Sequence, residues 1–443
     1  MTQIETTGTL LAPTKKSARR SVIAGTFGTA LEYYDFVLYG LAAALVFNTL
    51  FFPNAEPAVA MLASFATYAV GFVARPVGGL ILAGVGDRIG RKQVLVITIV
   101  LMGLSTAAIG LLPTYAQVGV WAPVLLILLR IVQGFGAGAE LASASTLMVE
   151  SAPAHRRGIL GSFLCIGTNS GTLIASGVWV LVAQLPKEDL LTWGWRIPFL
   201  VSIFIAAWGL WTRRHVEESE TFTAVAERQR NATIREIFGG VFTSGKKAFL
   251  AGLGLRVGEA GTSAIYQVFL VGYIATLPQM GAATGTFALM IASAVAYVTI
   301  PLIGHLSDKV GRRTVFRVLS GTQLAFAVPG LLLIQSGNTA LIVLAFIVAV
   351  SIAVLGMYAV ESSWNAELFG SRYRLAGVTS VKEVGGVLGG GIAPMICAGL
   401  MAAFHHWWPI AAYITVLSAI SFGTSFFAPE TKGRDLTSSA DSI

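Results

Sequence analysis

Two carboxylates lie in the middle of the first long apolar run of the sequence, residues 21–52. Glu32 and Asp35 are three residues apart and therefore share one face of a helix, and Tyr39 can add a hydroxyl to Asp35. In a bilayer, a charge at this depth costs at least about 2.5 kcal/mol, so such acids indicate ion or substrate movement. We expect one of the two to carry a proton. The alternative is a structural pair held by Ser, Tyr or Arg of neighbouring helices.

The fourth apolar run carries a basic and an amide side chain near its middle, Arg130 and Gln133, one helical turn apart. A guanidinium fork and an amide can together bind a carboxylate. We therefore expect both residues to bind substrate. The alternative for Arg130 is a standing ion pair with Glu32 or Asp35.

The seventh and eleventh runs hold further pairs of opposite charge. Arg256 and Glu259 are three residues apart, at a depth that matches the acids of the first run. They can pair within their own helix or contribute to a central site, with Glu259 as the second candidate for the proton. Lys382 and Glu383 are adjacent and diverge by about 100°, so at most one of them can point straight into a cavity. We expect these four residues to contribute to substrate binding or coupling.

Two further aromatic residues are candidates for substrate binding. Tyr266 and Trp364, like Tyr39, lie in apolar runs, where core packing is the alternative to lining a cavity.

Arg75 lies towards the cytoplasmic end of the second run. We expect it to have a structural role, either by snorkelling to the membrane surface or by joining contacts at the cytoplasmic side.

The composition requires lipid as the solvent. The chain has 443 residues, 55% hydrophobic and 12% charged, whereas soluble domains carry roughly 25% charged residues. Apolar runs of about 20 residues indicate membrane-spanning helices, and twelve are predicted, centred near residues 36, 70, 103, 132, 170, 203, 262, 293, 324, 353, 389 and 418. We therefore expect an all-α membrane protein with twelve transmembrane helices.

The basic residues are distributed asymmetrically between the predicted loops. Most of the 30 Lys and Arg fall on one side if both termini are cytoplasmic, which is the positive-inside pattern. The net charge of +8 therefore reflects how the chain is oriented in the membrane. We expect no nucleic-acid partner.

Two loop patterns recur in the two halves of the chain. The sequence AGVGDRIGRK at 83–92 is repeated as GHLSDKVGRR at 304–313, and Glu150 to Arg157 is echoed by Glu367 to Arg374. Both repeats follow corresponding runs on the same side of the membrane. A duplicated six-helix unit accounts most simply for both repeats, so we expect two pseudo-symmetric six-helix bundles.

These loops predict a conformational latch on the cytoplasmic side. Glycine allows close approach of helices, an aspartate can accept hydrogen bonds from a neighbouring helix N-terminus, and basic residues can bridge to carboxylates. The alternative is that the basic residues only anchor the spans. We define the cytoplasmic latch as Asp87, Arg88, Arg91, Glu150, Asp308, Arg312 and Glu367.

The predicted organisation has five parts. They are a cytoplasmic N-terminal tail at 1–20, a first bundle at 21–212, a central cytoplasmic loop at 213–247, a second bundle at 248–428 and a cytoplasmic tail at 429–443.

The repeated Gly-x-x-x-Asp-Arg/Lys-x-Gly-Arg-Arg/Lys loop, the basic central loop and the twelve runs resemble the major facilitator superfamily over nearly the whole chain. EYYDFVLYG at 32–40, RPVGG at 75–79, WGWRIP at 193–198 and ELF at 367–369 with Arg372 resemble its metabolite:proton symporter branch. That branch includes shikimate, α-ketoglutarate, citrate, dicarboxylate and proline/betaine permeases. The resemblance implies the major facilitator fold and secondary active transport.

We therefore expect a proton symporter that imports a small organic anion, a mono- or dicarboxylate resembling shikimate or a keto acid, by alternating access. The alternatives are a proline/betaine osmolyte symporter and, less favoured, a drug:proton exporter. We expect no enzyme activity, no metal and no cofactor besides the proton, because no catalytic or metal-binding spacing occurs. The expected setting is a bacterial inner membrane, with the multi-pass chain working as a monomer.

Overall fold

The computed structural model describes residues 15–89, 91–138, 146, 148–150, 152–215, 234–278 and 280–443. The structure describes the side chains of these residues except those of 15–25, 27, 83–84, 86–92, 95, 212–215 and 234–238. All regular secondary structure of the described residues is helical.

Each of the twelve predicted positions carries a long helix, four of which contain a π-helical segment that continues the α-helix. The first half consists of α1 (Lys15–Ala42, continued by Ala43–Phe47 and Asn48–Phe51), α2 (Pro57–Ile89), α3 (Arg91–Gly110), α4 (Trp121–Ala137), α5 (Arg157–Val182) and α6 (Arg196–His215).

The second half has the same order of helices. It consists of α7 (Lys246–Ala264, continued by Ile265–Phe269 and Leu270–Ala275), α8 (Ala282–Val310), α9 (Arg312–Gln335), α10 (Thr339–Phe346, Ile347–Val354 and Leu355–Leu368), α11 (Arg374–Gly385, Gly386–Gly391 and Ala393–Phe404) and α12 (Trp408–Phe427). A short helix, Ile234–Thr243, precedes α7 and packs against the start of α11.

Eight of the described helices are long and apolar enough to cross a membrane, and the bent pair Lys187–Gly194 and Arg196–Trp211 would make a ninth. Val96–Gly110 and Trp121–Ala137 are shorter apolar helices. In α7 the apolar sequence is interrupted by Arg256 and Glu259. Twelve spans therefore stay a prediction, although a helix is present at each expected place.

The helices pair in the same way within the two halves. In the first half α1 packs on α5, α2 on α4 and α3 on α6; in the second α7 packs on α11, α8 on α10 and α9 on α12. The halves meet through α5 against α8 and α10, and through α2 against α11. This equivalence of contacts agrees with the duplicated unit expected from the loop patterns.

Close approach between α1 and α5 depends on glycine. A Cβ atom added at Gly171 would lie 2.3 Å from the carbonyl oxygen of Ala30, and one at Gly167 would lie 2.5 Å from that of Thr26. Gly389 of α11 is equally tight, because a Cβ there would be 2.4 Å from the carbonyl oxygen of Val257 in α7. Small residues at such interfaces let backbones approach in a membrane, where dispersion contacts replace the hydrophobic effect.

We expect Gly171→Ala to lower the melting temperature of the purified protein in detergent, because α1 and α5 must separate to admit the methyl group. Gly177→Ala in the same helix is the control, since its nearest neighbour would be Met290 Sδ at 3.8 Å. Removing a helical glycine at an open site should be neutral or stabilising by roughly 0.5–1 kcal/mol. Equal melting temperatures for the two variants would contradict this view of the interface.

Candidate functional site

A cavity of about 70 Å³ lies between the two halves. Side chains from α1, α2, α5, α7, α10 and α11 line it, so it occupies the position where halves that rock against each other would share a ligand. Its charged lining residues are Arg75, Arg256, Glu259 and Lys382.

Arg75 links the two halves at one wall of the cavity. Its Nη2 atom lies 2.7 Å from Glu32 Oε1 in α1, and its Nε and Nη2 atoms each donate a 3.1 Å hydrogen bond to Glu383 in α11. All three residues are buried. A bidentate arginine–carboxylate contact fixes both distance and orientation, so this cluster joins α1, α2 and α11 in one arrangement.

The prediction that Arg75 snorkels to the cytoplasmic surface is wrong. The helix α2 extends over 33 residues, or about 50 Å at 1.5 Å per residue, so its cytoplasmic end lies well beyond Arg75. The residue is only 7% exposed. The sequence showed a basic residue near the end of an apolar run, but it did not show how far the helix continues.

A second buried ion cluster lies on the opposite wall. Arg256 forms an ion pair with Glu259 within α7 and lies 3.8 Å from Glu361 of α10. Asn365 donates a 2.9 Å hydrogen bond to Glu361, and the Arg256 guanidinium stacks on Tyr358 at 4.8 Å. Both alternatives left open for Arg256 and Glu259 are therefore present together, because the pair forms within the helix and also lines the cavity.

Lys382 differs from the two arginines. Its Nζ atom is buried and has no hydrogen-bond partner among the described residues, although Arg75, Arg256, Glu32 and Glu383 lie within electrostatic range. Adjacent Glu383 turns away from the cavity towards Arg75, as the divergence of neighbouring helical residues requires. Lys382 thus presents to the cavity an amino group that has no direct partner among the described residues.

Asp35 and Arg130 form a third cluster, inside the first half and behind the cavity wall. Asp35 is buried beside Thr106, Gln133 and Arg130. Gln133 accepts a hydrogen bond from Arg130 and donates one of 2.7 Å to Thr106. Among the described side chains, the Nε and Nη2 atoms of Arg130 have no hydrogen-bond acceptor.

Aromatic rings surround the guanidinium group of Arg130. Its Cζ atom lies 4.0 Å from the ring centre of Tyr39, 4.6 Å from that of Phe36 and 5.4 Å from that of Tyr68. Phe36 and Tyr68 also line the cavity. They therefore separate the Asp35–Arg130 cluster from the cavity by the thickness of one ring.

Several predicted binding residues do not line the cavity in this conformation. Tyr39 donates a 2.7 Å hydrogen bond to Thr67, and Tyr266 packs edge-on against Phe346. Trp364 is turned towards the cytoplasmic side, where its Nε1 atom donates a 3.0 Å hydrogen bond to the carbonyl oxygen of Pro429. Arg130, Gln133 and Glu383 are also held in the contacts described above, outside the lining.

Other lining residues were not predicted from the sequence. Tyr33 of α1 faces Tyr358 of α10 across the cavity, with ring centres 6.4 Å apart. Thr168, Thr172 and Gln267 line the cavity as well. Neutral residues of this kind are common in packed membrane helices, so their types alone gave no signal. Tyr33, between Glu32 and Asp35, could have been considered from its position.

Contacts expected of the cytoplasmic latch are present where the structure describes its side chains. Both carboxylate oxygens of Asp308 accept hydrogen bonds from the N-terminus of α5, from Gly158 N at 2.8 Å and Ile159 N at 2.9 Å. Arg312 donates to Asp308 at 2.8 Å and to Glu367 at 3.2 Å. Asp308 thereby connects the second half to the first.

Another contact between the halves joins Glu150 Oε1 to Arg374 Nη1 at 2.7 Å. The segment after α12 adds further contacts, because Arg157 of α5 donates a 2.6 Å hydrogen bond to the carbonyl oxygen of Arg434. Thr431 donates a 2.6 Å hydrogen bond to Glu367. The two halves are therefore in contact at the end of the bundle that carries the latch residues. The side chains of Asp87, Arg88 and Arg91 lie outside the described residues.

The chain matches known proteins in family, in sequence and in structure. The family model described as "Sugar (and other) transporter" matches residues 21–238 and again 226–441. The shikimate transporter of Escherichia coli K12 is 37% identical over 421 residues, covering 94% of this chain and 95% of its own length.

A proline/betaine transporter of Salmonella typhimurium is 31% identical and covers 94% of this chain and 85% of its own length. Among solved structures, the proton:xylose symporter XylE aligns with a TM-score of 0.72 at 18% identity, over 96% of this chain and 98% of that chain. At that identity the structural match is evidence for the fold.

We expect Arg75→Met to be strongly destabilising, by roughly 3–5 kcal/mol, because Glu32 and Glu383 would lose the cation that both contact. Arg372→Met, at an exposed position, is the control. Adding Glu32→Gln and Glu383→Gln to the Arg75→Met variant should recover much of the thermal stability in detergent. If Arg75→Met melts like the control, the cluster does not hold the halves together.

Proposed function

The chain belongs to the sugar (and other) transporter family of the major facilitator superfamily, and we propose that it imports a small organic anion by symport with protons. Membership makes it a multi-pass membrane transporter of a small molecule. The anion, the proton and the direction of transport are the proposed parts. We further propose that it works as a monomer in a bacterial inner membrane, a location consistent with its Escherichia coli relative.

The observation that carries the anion proposal is the environment of Lys382. Burial without a direct partner disfavours the ammonium form of a lysine, and a carboxylate from a ligand would stabilise that form. Arg75 and Arg256 lie nearby, but each already contacts two protein carboxylates. Lys382 is therefore the proposed counter-ion of the substrate, whereas the charges of the two arginines are already balanced by protein carboxylates.

The charge balance around the cavity supports coupling to protons. Among the described residues, the three clusters and Lys382 together supply four cations, Arg75, Arg130, Arg256 and Lys382, and five acids, Glu32, Asp35, Glu259, Glu361 and Glu383. Entry of an anion would add negative charge to a site already short of cations, whereas protonation of one acid would compensate for it. Proton and anion would therefore bind cooperatively, which is the linkage that symport requires.

Asp35 is the proposed proton carrier, with Glu32 and Glu259 as the other candidates. Asp35 Oδ2 has no hydrogen-bond partner among the described residues, and its nearest cation, Arg130, is held by Gln133 and by aromatic rings. Protonation of Asp35 would release Arg130 without breaking a contact between the halves. Glu32 instead shares Arg75 with Glu383. Its protonation would therefore weaken the ion cluster that joins α1, α2 and α11.

Alternating access is the proposed transport cycle, in which the cytoplasmic latch closes the inner side. Asp308, Arg312, Glu150 and Glu367 support it through the contacts described above. A rocking motion that opens the cytoplasmic side would have to break the bonds from Asp308 to the α5 N-terminus and from Glu150 to Arg374. Asp87, Arg88 and Arg91 are assigned the equivalent role at the end of α2 on the basis of the repeated sequence.

A zwitterionic osmolyte is the second candidate substrate, because a relative named as a proline/betaine transporter is 31% identical. A quaternary ammonium group would require open aromatic faces. In the cavity, however, Arg75 stacks on Phe36 and Phe72, and Arg256 stacks on Tyr358. These faces are already occupied by guanidinium groups, which favours the anion. The charged lining likewise disfavours a drug exporter.

Uptake of labelled organic acids and betaines into proteoliposomes, with and without an inward proton gradient, tests the proposal. We expect accumulation of an organic acid only with the gradient. Lys382→Gln should raise the KM for that acid by at least about tenfold, the value of one charge-assisted hydrogen bond. Gradient-stimulated accumulation of betaine alone would overturn the anion proposal.

Asp35→Asn should abolish accumulation against a gradient and leave counterflow exchange largely intact, because exchange needs no net proton movement. The exposed acid Glu188 provides the control, and Glu188→Gln should leave both activities unchanged. Equal loss of accumulation and exchange at normal expression would assign Asp35 a structural role instead.

A further inference from the structure

The ring of Phe36 contacts the guanidinium groups of two arginines that belong to different clusters. Arg130 Cζ lies 4.6 Å from the ring centre, and Arg75 Cζ lies 4.9 Å from it. Arg130 belongs to the cluster with Asp35 inside the first half, whereas Arg75 contacts Glu383 of the second half. A cation is attracted to the face of an aromatic ring. Phe36 therefore holds two like charges close to each other, between the two clusters.

Other contacts enclose the guanidinium group of Arg130. A Cβ atom added at Gly71 of α2 would lie 2.3 Å from Arg130 Nε, so the group rests against the backbone of that helix. The Tyr39 ring lies 4.0 Å from Arg130 Cζ, and its hydroxyl group donates a 2.7 Å hydrogen bond to Thr67 of α2. With these sides occupied, Phe36 is the contact through which a displacement of Arg130 would reach the neighbouring cluster.

The guanidinium group of Arg75 depends on the same aromatic contact. It lies 5.7 Å from the ring centre of Phe72, which packs edge-on against Phe36 at 4.9 Å. The ion pairs of Arg75 with Glu32 and Glu383 join α1 and α2 of the first half to α11 of the second. A displacement of Phe36 would therefore alter the surroundings of a cluster that connects the halves.

The positive charge of Arg130 is balanced while Asp35 is ionised. When Asp35 takes up a proton, that balance is lost and Arg130 repels Arg75, which lies within electrostatic range. A buried site of low polarity strengthens the repulsion. The charged and titratable groups around Asp35 and Arg130 include Glu32, Tyr34 and Tyr39 of α1 and Tyr68 and Arg75 of α2, while α3 and α4 add the neutral Thr106 and Gln133.

We propose that Phe36 is a positioning residue that transmits the protonation of Asp35 to the ion pairs of Arg75, and thereby to the contact between the halves. This rests on the proposed role of Asp35 as the proton carrier and adds the route by which the proton acts on the transport cycle. The Asp35–Arg130 cluster lies within the first half, so a proton bound there needs an intermediary to act on the second. Protonation weakens the contact of Arg75 with Glu383 and favours separation of the halves.

The distance between the halves at the end that carries the latch residues measures this transmission without any substrate. His155→Cys, before α5, and Arg372→Cys, between α10 and α11, place spin labels at exposed positions of the two halves. The native Cys165 and Cys397 are buried and need no replacement. In detergent, we expect the distances between the labels to shift towards longer values as the pH is lowered from mildly alkaline to mildly acidic.

Variants of the labelled protein separate transmission from the protonation itself. Asp35→Asn should give the longer distances at every pH, because it lacks the charge that balances Arg130. Phe36→Leu should reduce the acid-induced change in the populations at least about threefold, the value of one buried cation–π contact, because the two guanidinium groups can then relax apart. Phe36→Tyr keeps the aromatic face and should retain the shift.

Phe51→Leu is the matched control for the loss of a buried ring from α1. Phe51 is fully buried and packs against Phe47 and Trp195, away from the two guanidinium groups that Phe36 contacts. Its variant should show the same acid-induced shift as the labelled protein without further change. Elution as a monodisperse peak verifies the folding of each variant.

The outcomes distinguish this inference from the assignment of the proton. An undiminished shift in Phe36→Leu would overturn the role of Phe36 and leave Asp35 as the proton carrier. Equal losses of the shift in Phe36→Leu and Phe51→Leu, or in Phe36→Leu and Phe36→Tyr, would do the same. A shift that persists in Asp35→Asn, or that is absent from the labelled protein without further change, would contradict both this inference and the proposed role of Asp35.

Discussion

The structure depends on the neutralisation of buried cations where neither water nor lipid can solvate them. Arg75 contacts Glu32 and Glu383, Arg256 contacts Glu259 and Glu361, and Arg130 lies beside Asp35 within a shell of aromatic rings. Each carboxylate comes from a particular helix, so these contacts also fix which helices meet around the cavity. In the proposed transport cycle, movement of the halves would redistribute charge, and a proton would be an effective controlling ion.

Helix packing is nearly symmetric between the halves, whereas charge is not. Gly171 of α5 and Gly389 of α11 allow the close approach of α1 and α7, respectively. Both halves therefore have similar close contacts between helices. The Asp35–Arg130 cluster, however, lies wholly within the first half, and Arg256 with its two acids lies within the second. The two halves thus share one pattern of helix packing but differ in their buried charges.

The sequence predicts the helical class and the repeated halves because lipid exposure requires long apolar runs and the loop patterns occur twice. It also predicts Arg256, Glu259 and Lys382 as cavity residues, since a charge inside a span is costly unless it faces a partner or a cavity. Helix rotation and helix length are not encoded in the same way. Trp364, a candidate for substrate binding, therefore contacts the segment after α12, and Arg75 lines the cavity against expectation. Gln267 gave no signal because a neutral amide is unremarkable in a span.

The amino group of Lys382, which has no direct partner among the described residues, has an electrical consequence for the proposed cycle. If the proposed cycle moves one proton with one monoanion, it would transfer no net charge across the membrane. Membrane voltage is worth about 2.3 kcal/mol per elementary charge per 100 mV, but it neither drives nor opposes an electroneutral step. Accumulation by such a carrier follows the pH difference alone, and depolarisation of the membrane leaves it unchanged.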